Sequence, residues 1–405
     1  MYLCKSLNLR NKSVNNEKIQ YQPQFIKSPF RDLELIFHFS FFIFILLSCS
    51  SGSKKLETSA VPNDTLQLHY VTGFAIYYHN DFKEVVVYSP WREGEIYARY
   101  YLTKNANQKT PKNGTRVVIP LQSIALTSVT QIEFLNLLNE ENTIVGISSP
   151  DLVFNADIRQ KAATGEITDL GDAFNLNVER SLMLNPQALM TSGFNQNDPN
   201  ITHISRAGIS VIYNNEWMEN SLLGRAEWVK FVGAFYDKTA EADSIFSLLA
   251  TRYNEIKNKA SQVEHRPSVM SGSNFRGTWY MSGGNSFMGN LFADAGADYF
   301  YADDTNSGSL PLNIETVIMN FAQTDFWLNC SLNSIDELLR ADAKHALFRP
   351  VQIGTVYNFN RRTLPSGAND FWESAVARPD VVLADVIAIL HPNILPKHEM
   401  VYAER

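Results

Sequence analysis

The sequence predicts an α/β protein with two related halves, a long connecting helix between them and a β extension at the N-terminus. Three observations support this fold class. Short apolar strands alternate with amphipathic helices from Arg116 onward, which favours a mostly parallel sheet with helical crossovers. One motif occurs twice, at residues 177–183 and 313–319. A helical pattern of about 25 residues lies between the two copies.

The N-terminus has the pattern of a secretory leader. Leu35–Leu47 is almost wholly apolar and too short to span a bilayer, which suits the core of a signal peptide. It ends in Leu46-Leu47-Ser48-Cys49, which resembles the bacterial lipobox, where the cysteine is lipidated. We predict a leader at 1–49, lipidation of Cys49 and a flexible tether at 50–63. The alternative is a buried strand that ends at a cysteine by chance.

Composition is that of an ordinary globular protein. The formal net charge of -7 gives no basic footprint for nucleic acid. Of three cysteines, only Cys330 stays a free thiol once the leader is removed and Cys49 is acylated, and its apolar surroundings predict burial. Aromatic residues make up 12% of the chain, enough for a core and for the walls of a site for a large planar ligand.

The N-terminal extension and the first half are predicted over residues 64–236. Segments rich in β-branched and aromatic residues predict strands at 68–78, 83–88 and 96–102. Ser128–Gln131 has the form of a capping box at the start of a helix. Further strands are predicted at 116–120, 144–147, 167–170, 188–190 and 209–213.

A long helix is predicted over 237–263, followed by the second half at 264–405. Apolar residues recur at helical spacing from Ala242 to Ala260, with charges on the other side, so this helix can act as a strut between two α/β regions. The alternative is a helix packed on one sheet. In the second half the last strands are predicted at 351–353 and 355–357, and Pro379 suits the first position of a final helix.

The repeated motif places one carboxylate at an equivalent point of each half. Each copy begins with an Asn that can cap a helix, and Glu179 or Glu315 follows two positions on. The alternative is that each glutamate only complements the helix dipole. The matched pair favours a shared role, in which one partner contacts both halves. The copies read Asn177-Val178-Glu179-Arg180-Ser181-Leu182-Met183 and Asn313-Ile314-Glu315-Thr316-Val317-Ile318-Met319.

Enzyme motifs and metal-ligand patterns do not occur in this sequence. There is no GxGxxG after a strand, no GxxxxGK[ST], no HExxH and no GxSxG, so we predict no enzymatic activity, no cofactor and no metal site. The loop Gly283–Ser286 precedes a helix and can hold an anion on its N–H groups, but such loops more often supply only a turn and a cap. The histidines are scattered along the chain.

Six segments of the chain carry a family resemblance: Gly224–Phe231, Gly277–Ser286, Ala302–Asp304, Gly308–Leu312, Asn369–Glu373 and Arg378–Asp385. They resemble the helical-backbone class of substrate-binding proteins for ABC importers, in the group that takes up ferric siderophores, haem and cobalamin. The resemblance covers about Arg116 to Pro392 and implies two Rossmann-like α/β lobes joined by one long backbone α-helix, with ligand in the cleft between them. It also implies that Glu179 and Glu315 dock onto arginines of the membrane permease.

A chelate site needs flat apolar walls and a few polar groups, because the chelator already saturates its metal. We expect it where strands deliver loops to the cleft. Arg276 is the best anion contact, since its fork suits carboxylate or hydroxamate oxygens; the alternative is an exposed loop charge. Each aromatic candidate has the alternative of a core position. The predicted ligand residues are Arg276, Trp279, Tyr280, Asn369, Asp370, Trp372, Glu373, Phe194 and Tyr213, with Phe275, Ser128 and Asp151 as further candidates.

The resemblance therefore implies a lipid-anchored, extracytoplasmic receptor for a metal chelate. Its expected partners are an ABC permease with its ATPase, the chelate and, through the anchor, a membrane. The alternatives are a sensory or adhesion lipoprotein with the same two-lobed fold, and an enzyme on the related nitrogenase-like architecture, which the lack of cofactor-ligating cysteines disfavours. A neighbouring gene for a multispan permease distinguishes transport from sensing. Ferric siderophore, haem and corrinoid remain equal candidates.

Overall fold

The computed structural model describes residues 62–173, 175–193, 198–330 and 332–405. The predicted leader 1–49 with Cys49, nearly all of the tether 50–63 and the candidate ligand residue Phe194 lie outside these ranges. Within them, no helix is both long enough and apolar enough to cross a membrane.

The N-terminal extension is a five-stranded sheet whose strands lie in chain order. Neighbouring strands are antiparallel except for the last pair, which is parallel. Buried residues alternate with half-buried ones at the start of β2, whereas the middle of β3 and the end of β4 are buried on both faces. The strands are β1 (Asp64–Thr65), β2 (Phe74–Tyr78), β3 (Lys83–Tyr88), β4 (Ile96–Thr103) and β5 (Thr115–Val118).

The first lobe is built on a parallel sheet, as the alternation of strands and helices predicts. Its strand order is β12-β11-β6-β7-β8, and a short antiparallel hairpin, β9–β10, lies beside it. The strands are β6 (Ile124–Leu126), β7 (Ile144–Ile147), β8 (Thr168–Asp169), β9 (Gly171–Asp172), β10 (Asn175–Leu176), β11 (Ala188–Thr191) and β12 (Ser210–Tyr213). The helices are α1 (Ile132–Leu137), α2 (Ala156–Ala163), α3 (Val178–Leu184) and α4 (Pro199–Arg206).

Two helices lead from the first lobe to the second. Helix α5 (Leu222–Phe235) is buried on almost every side, and α6 (Thr239–Ser261) follows it with an apolar stripe facing the core. At 1.5 Å per residue, α6 is roughly 34 Å long, the width of a small domain. Helix α6 packs along α5 and along the C-terminal helix of the chain. It occupies the place of the predicted connecting helix.

The second lobe repeats the architecture of the first, with four strands in its parallel sheet instead of five. Its parallel sheet has the order β16-β13-β18-β19, and an antiparallel sheet, β14-β15-β17, stands at its edge. The strands are β13 (Ser268–Ser271), β14 (Asn274–Phe275), β15 (Thr278–Ser282), β16 (Asp298–Tyr299), β17 (Ser309–Leu312), β18 (Phe326–Leu328) and β19 (Val356–Tyr357). The helices are α7 (Phe287–Asp294), α8 (Ile314–Phe321), α9 (Ile335–Ala341), α10 (Arg349–Ile353), α11 (Asp370–Glu373) and α12 (Pro379–Leu390).

Several local predictions are confirmed and one is wrong. Ser128 forms the predicted capping box, the final helix begins at Pro379, and Cys330 is buried. The predicted strand 351–353 is instead the end of α10. Pro350 is preorganised for the first turn of a helix, and Gly354, at φ +71°, ends the helix. In so short a segment these start and stop residues outweigh the strand preference of Val351 and Ile353.

A buried carboxylate fixes the segment between β1 and β2. Glu227, on α5 and fully buried, accepts hydrogen bonds from the backbone N–H groups of His69, Tyr70 and Val71 at 2.7–3.1 Å. Its charge is balanced by Lys230, whose ammonium lies 2.9 Å away. Because these N–H groups are satisfied by a side chain rather than by another strand, the predicted strand 68–78 begins only at β2.

Glu227→Ala should destabilise the protein by about 3–5 kcal/mol, because it leaves a buried ammonium with one fewer counter-charge and three backbone donors without an acceptor. Urea denaturation followed by circular dichroism measures this loss. Glu255→Ala, at an exposed position of α6, is the control and should change stability by less than about 0.5 kcal/mol. A loss below about 1 kcal/mol for Glu227→Ala would show that the segment does not depend on this carboxylate.

Candidate functional site

The carboxyl ends of the parallel strands in each lobe deliver the loops that carry the candidate residues. In α/β sheets of this kind, ligands bind outside these ends. The second lobe places the β14–β15 hairpin directly after β13, and the first lobe ends β12 at Tyr213. The described candidate ligand residues therefore lie at the end of β12 or in the segments that follow β13 and β19, but their side chains face different surroundings.

The β14–β15 hairpin presents Arg276 and Tyr280 to solvent. Its two-residue turn, Arg276-Gly277, has positive φ at both positions, +53° and +88°, as a type I′ turn requires. The guanidinium of Arg276 lies over the ring of Phe275 at 5.1 Å, which holds the cation at the hairpin tip. Tyr280 is 43% exposed. These two side chains are accessible to a ligand.

Trp279 lies on the opposite face of the same strand, and its prediction as a ligand residue is wrong. Successive side chains of a strand point to opposite faces, so Trp279 and Tyr280 cannot both face a ligand. The indole is fully buried against Trp327 and Phe348, and its N–H donates to the carbonyl of Ser271 at 3.0 Å. Trp279 is a core residue of the second lobe.

Glu373 joins the two lobes instead of lining an open cleft. Its carboxylate, 3% exposed, accepts the backbone N–H of Phe154 at 2.5 Å and that of Asn155 at 2.8 Å, both in the first lobe. Burial raises the pKa of Glu373 from its ordinary 4.5 to about 7, although the two N–H groups favour the charged form. A second cross-lobe contact, the ion pair of Arg378 with Glu133 at 2.8 Å, lies beside it.

Two other candidates of the same segment make contacts inside the protein. Asp370 is buried and pairs with Arg362 at 2.8 Å. The side chain of Asn369 accepts the N–H of Phe371 and donates to the carbonyl of Phe359, so it caps α11. These contacts hold the segment after β19 in place.

Trp372 is half-buried and lines a small cavity between the lobes. Arg225, on α5, lies over the ring of Phe287 at 5.2 Å on another wall of this cavity. The cavity is therefore lined by the guanidinium of Arg225 on α5 and by aromatic rings on α7 and α11. Its lining residues are Leu222, Arg225, Phe287, Phe371, Trp372, Ala375, Val376 and Val382.

On the first lobe, Tyr213 ends a row of three aromatic rings that sequence reasoning did not find. Its ring packs against Tyr97 at 4.8 Å, and Tyr97 packs against Trp91 at 5.5 Å. Trp91 is 45% exposed. Tyr97 lies on β4 and Trp91 on the loop between β3 and β4, both outside the resemblance, so only the position of the N-terminal sheet beside β12 reveals them. Ser128 is half-buried in its capping box, and Asp151 is exposed on the loop after β7.

The two copies of the repeated motif form equivalent helices, one in each lobe. Asn177 caps α3 by accepting the N–H of Arg180 at 3.0 Å, and Asn313 caps α8 by accepting the N–H of Thr316 at 2.7 Å. Both glutamates of the motif are exposed, and Glu315 is only loosely associated with Lys344, at 4.0 Å. The sequence repeat is thus a repeat of local structure.

Two further expectations concern ions. The N–H groups of Gly283, Asn285 and Ser286 donate to backbone carbonyls, so the loop before α7 is a capped turn and not an anion cradle. In the part of the chain that the structure describes, no group of three His, Cys, Asp or Glu side chains is arranged to hold a metal ion.

The fold is a pair of α/β lobes connected by the long helix α6. A model of the periplasmic binding protein family matches residues 124–358, more than half of the chain. The chain belongs to the periplasmic binding protein family. Two uncharacterized lipoproteins of Methanocaldococcus jannaschii are similar to it. One is 26% identical over 299 residues, covering 71% of this chain and 69% of the relative; the other is 22% identical, covering 85% and 87%.

Solved structures share the fold. A possible iron-binding, periplasmic solute-binding protein from Staphylococcus epidermidis aligns with a TM-score of 0.53 at 16% identity, covering 67% of this chain and 100% of that one. Helicobacter pylori CeuE, crystallised as a nickel–histidine complex, gives 0.52 at 17%, covering 69% and 86%. The periplasmic haem-binding protein HutB of Vibrio cholerae gives 0.51 at 17%, covering 65% and 98%. The predicted fold class is confirmed.

The raised pKa of Glu373 predicts a pH dependence of stability. Between pH 4.5 and about 7 the folded protein holds this proton more tightly than the unfolded chain, so the free energy of unfolding should fall as pH rises through that window. Glu373→Gln keeps an oxygen acceptor but cannot titrate, so its pH profile should be flatter. Urea denaturation of both proteins at several pH values measures the difference. Parallel profiles would contradict the assignment.

Proposed function

We propose that the protein is a lipid-anchored receptor that binds a metal chelate between its lobes and delivers it to an ABC permease. The observation that carries the proposal is the pair of equivalent helices, α3 and α8, each with an exposed glutamate at the same position of a separate lobe. A sensory or adhesion protein has no need for two matched contacts at such positions. An importer component needs them, because its partner has to hold both lobes.

The chemistry of the exposed groups supports a chelate as the ligand. Arg276 offers a fixed cationic fork, and Tyr280 offers a ring and a hydroxyl on the same hairpin. Tyr213, with the rings beside it, offers a flat wall on the first lobe. A metal chelate with a planar or apolar body and anionic oxygens at its rim matches these groups. Structural relatives named for iron and haem binding agree with this class.

The lipid anchor is the third part of the proposal. Cys49 follows an apolar segment in lipobox form, and two relatives that align with most of this chain are lipoproteins. A tether at 50–63 would leave the folded part free to move near the membrane surface, where a permease is found. The proposed location is therefore extracytoplasmic and membrane-anchored.

The ligand class is tested with a panel of haem, cyanocobalamin and ferric catecholate and hydroxamate siderophores, screened by thermal shift and then titrated calorimetrically. A true ligand at 100 times its Kd should stabilise the fold by about 2.7 kcal/mol. For that ligand, Arg276→Ala and Tyr280→Ala should each weaken binding by about 1–2 kcal/mol. Leu248→Ala, at a 53% exposed side chain on α6 and not at a strand end, is the control. Binding of none of the panel would refute the chelate proposal.

Docking is tested by charge reversal on both lobes. Glu179→Lys with Glu315→Lys should abolish uptake and leave ligand affinity intact, since like charges across an interface cost several kcal/mol. Glu255→Lys with Glu264→Lys changes the net charge equally at exposed positions elsewhere and should leave uptake normal. Uptake is measured in cells at matched expression. Normal uptake by the first double variant would refute docking through these glutamates and leave them as helix-start residues that only complement the helix dipole.

A further inference from the structure

The two most exposed large apolar side chains among the described residues are both methionines of the repeated motif. Met183 is 86% exposed and Met319 is 77% exposed. Single exposed apolar residues are common on protein surfaces and need no explanation. These two differ because they occupy the same position of the same motif, on different lobes.

Each methionine lies four residues after its glutamate on the same helix face. Residues four apart on an α-helix are neighbours, so Met183 lies beside Glu179, and Met319 lies beside Glu315. The residue midway between them, Ser181 in α3 and Val317 in α8, is buried in both copies. This buried residue fixes the rotation of each helix, and the asparagine caps fix its starting point. Both helices therefore present a carboxylate and a thioether outward in the same arrangement.

The combination suits a protein partner. An exposed carboxylate steers a basic partner and sets its orientation, but a solvated ion pair contributes little affinity. A flexible, polarisable methionine can fill an apolar pocket of imperfect shape and add buried area next to the charge. A glutamate that only complements its helix dipole needs no such neighbour, whereas a docking contact does.

We propose that each lobe docks through a two-residue contact, Glu179 with Met183 and Glu315 with Met319. The partner is a membrane permease with two similar halves, each presenting a basic side chain next to an apolar socket. This inference rests on the proposed function and specifies its docking surface. The exposed methionines supply affinity, and the carboxylates supply orientation and long-range attraction.

The test replaces both methionines with a polar residue of similar size. Met183→Gln with Met319→Gln should leave ligand affinity and folding unchanged, because glutamine is also a good helix former. It should weaken receptor–permease binding about tenfold, measured as the receptor concentration that gives half-maximal uptake of the tightest-binding panel member. Leu248→Gln with Leu347→Gln, at apolar residues that are 53% and 51% exposed elsewhere, is the matched control and should behave as wild type.

A ligand-independent measurement uses photo-crosslinking in intact cells. Benzoylphenylalanine at positions 183 and 319 should each capture the same multispan permease, and the same group at position 248 should not. Wild-type uptake by the methionine variant, together with lost uptake after charge reversal, would overturn this inference and leave the proposed function standing. Normal uptake after charge reversal would refute the docking role itself. A loss of chelate affinity in the methionine variant would place these residues in ligand binding and also overturn the inference.

Discussion

Buried carboxylates that accept backbone N–H groups hold the irregular parts of this fold in place. Glu227 and Glu219 together bind five consecutive N–H groups, those of residues 69–73. Asp385, fully buried on α12, binds the N–H groups of residues 401–403 and also His398. Glu373 does the same across the lobes. Without such acceptors these loops would bury unsatisfied donors, so the N-terminal sheet, the C-terminal tail and the lobe junction depend on four side chains.

The hydrogen bonds of the buried Glu373 carboxylate lie at the junction between the lobes, where we propose that the ligand binds. A receptor that traps its ligand between lobes has to change the contacts between them, and Glu373 with Arg378 provides two such contacts on one side. Burial favours the neutral form of Glu373, whereas the N–H groups of Phe154 and Asn155 favour the carboxylate. Its raised pKa therefore makes the strength of the junction sensitive to pH near neutrality.

Sequence reasoning succeeded where the determinants are local. The asparagine caps, the capping box at Ser128 and the long helix α6 depend on residues a few positions apart, and all are confirmed. It failed where burial and partners are set by distant residues. Trp279 looks like a ligand-facing aromatic until the strand register places it inward, and Glu373 looks like a cleft residue until α11 packs on the first lobe. Neither fact can be read from spacing alone.

The N-terminal sheet adds aromatic residues to the edge of the first lobe where we propose that the ligand binds. Glu227 on α5 and Glu219 just before α5 fix residues 69–73, and this holds β2 and the strands after it beside the first lobe. That place puts Tyr97 against Tyr213 at the end of β12 and leaves Trp91 exposed next to it. The matched family region begins only at residue 124. Glu227 and Glu219 thus help to place rings from outside that region at the edge where we propose that the ligand binds.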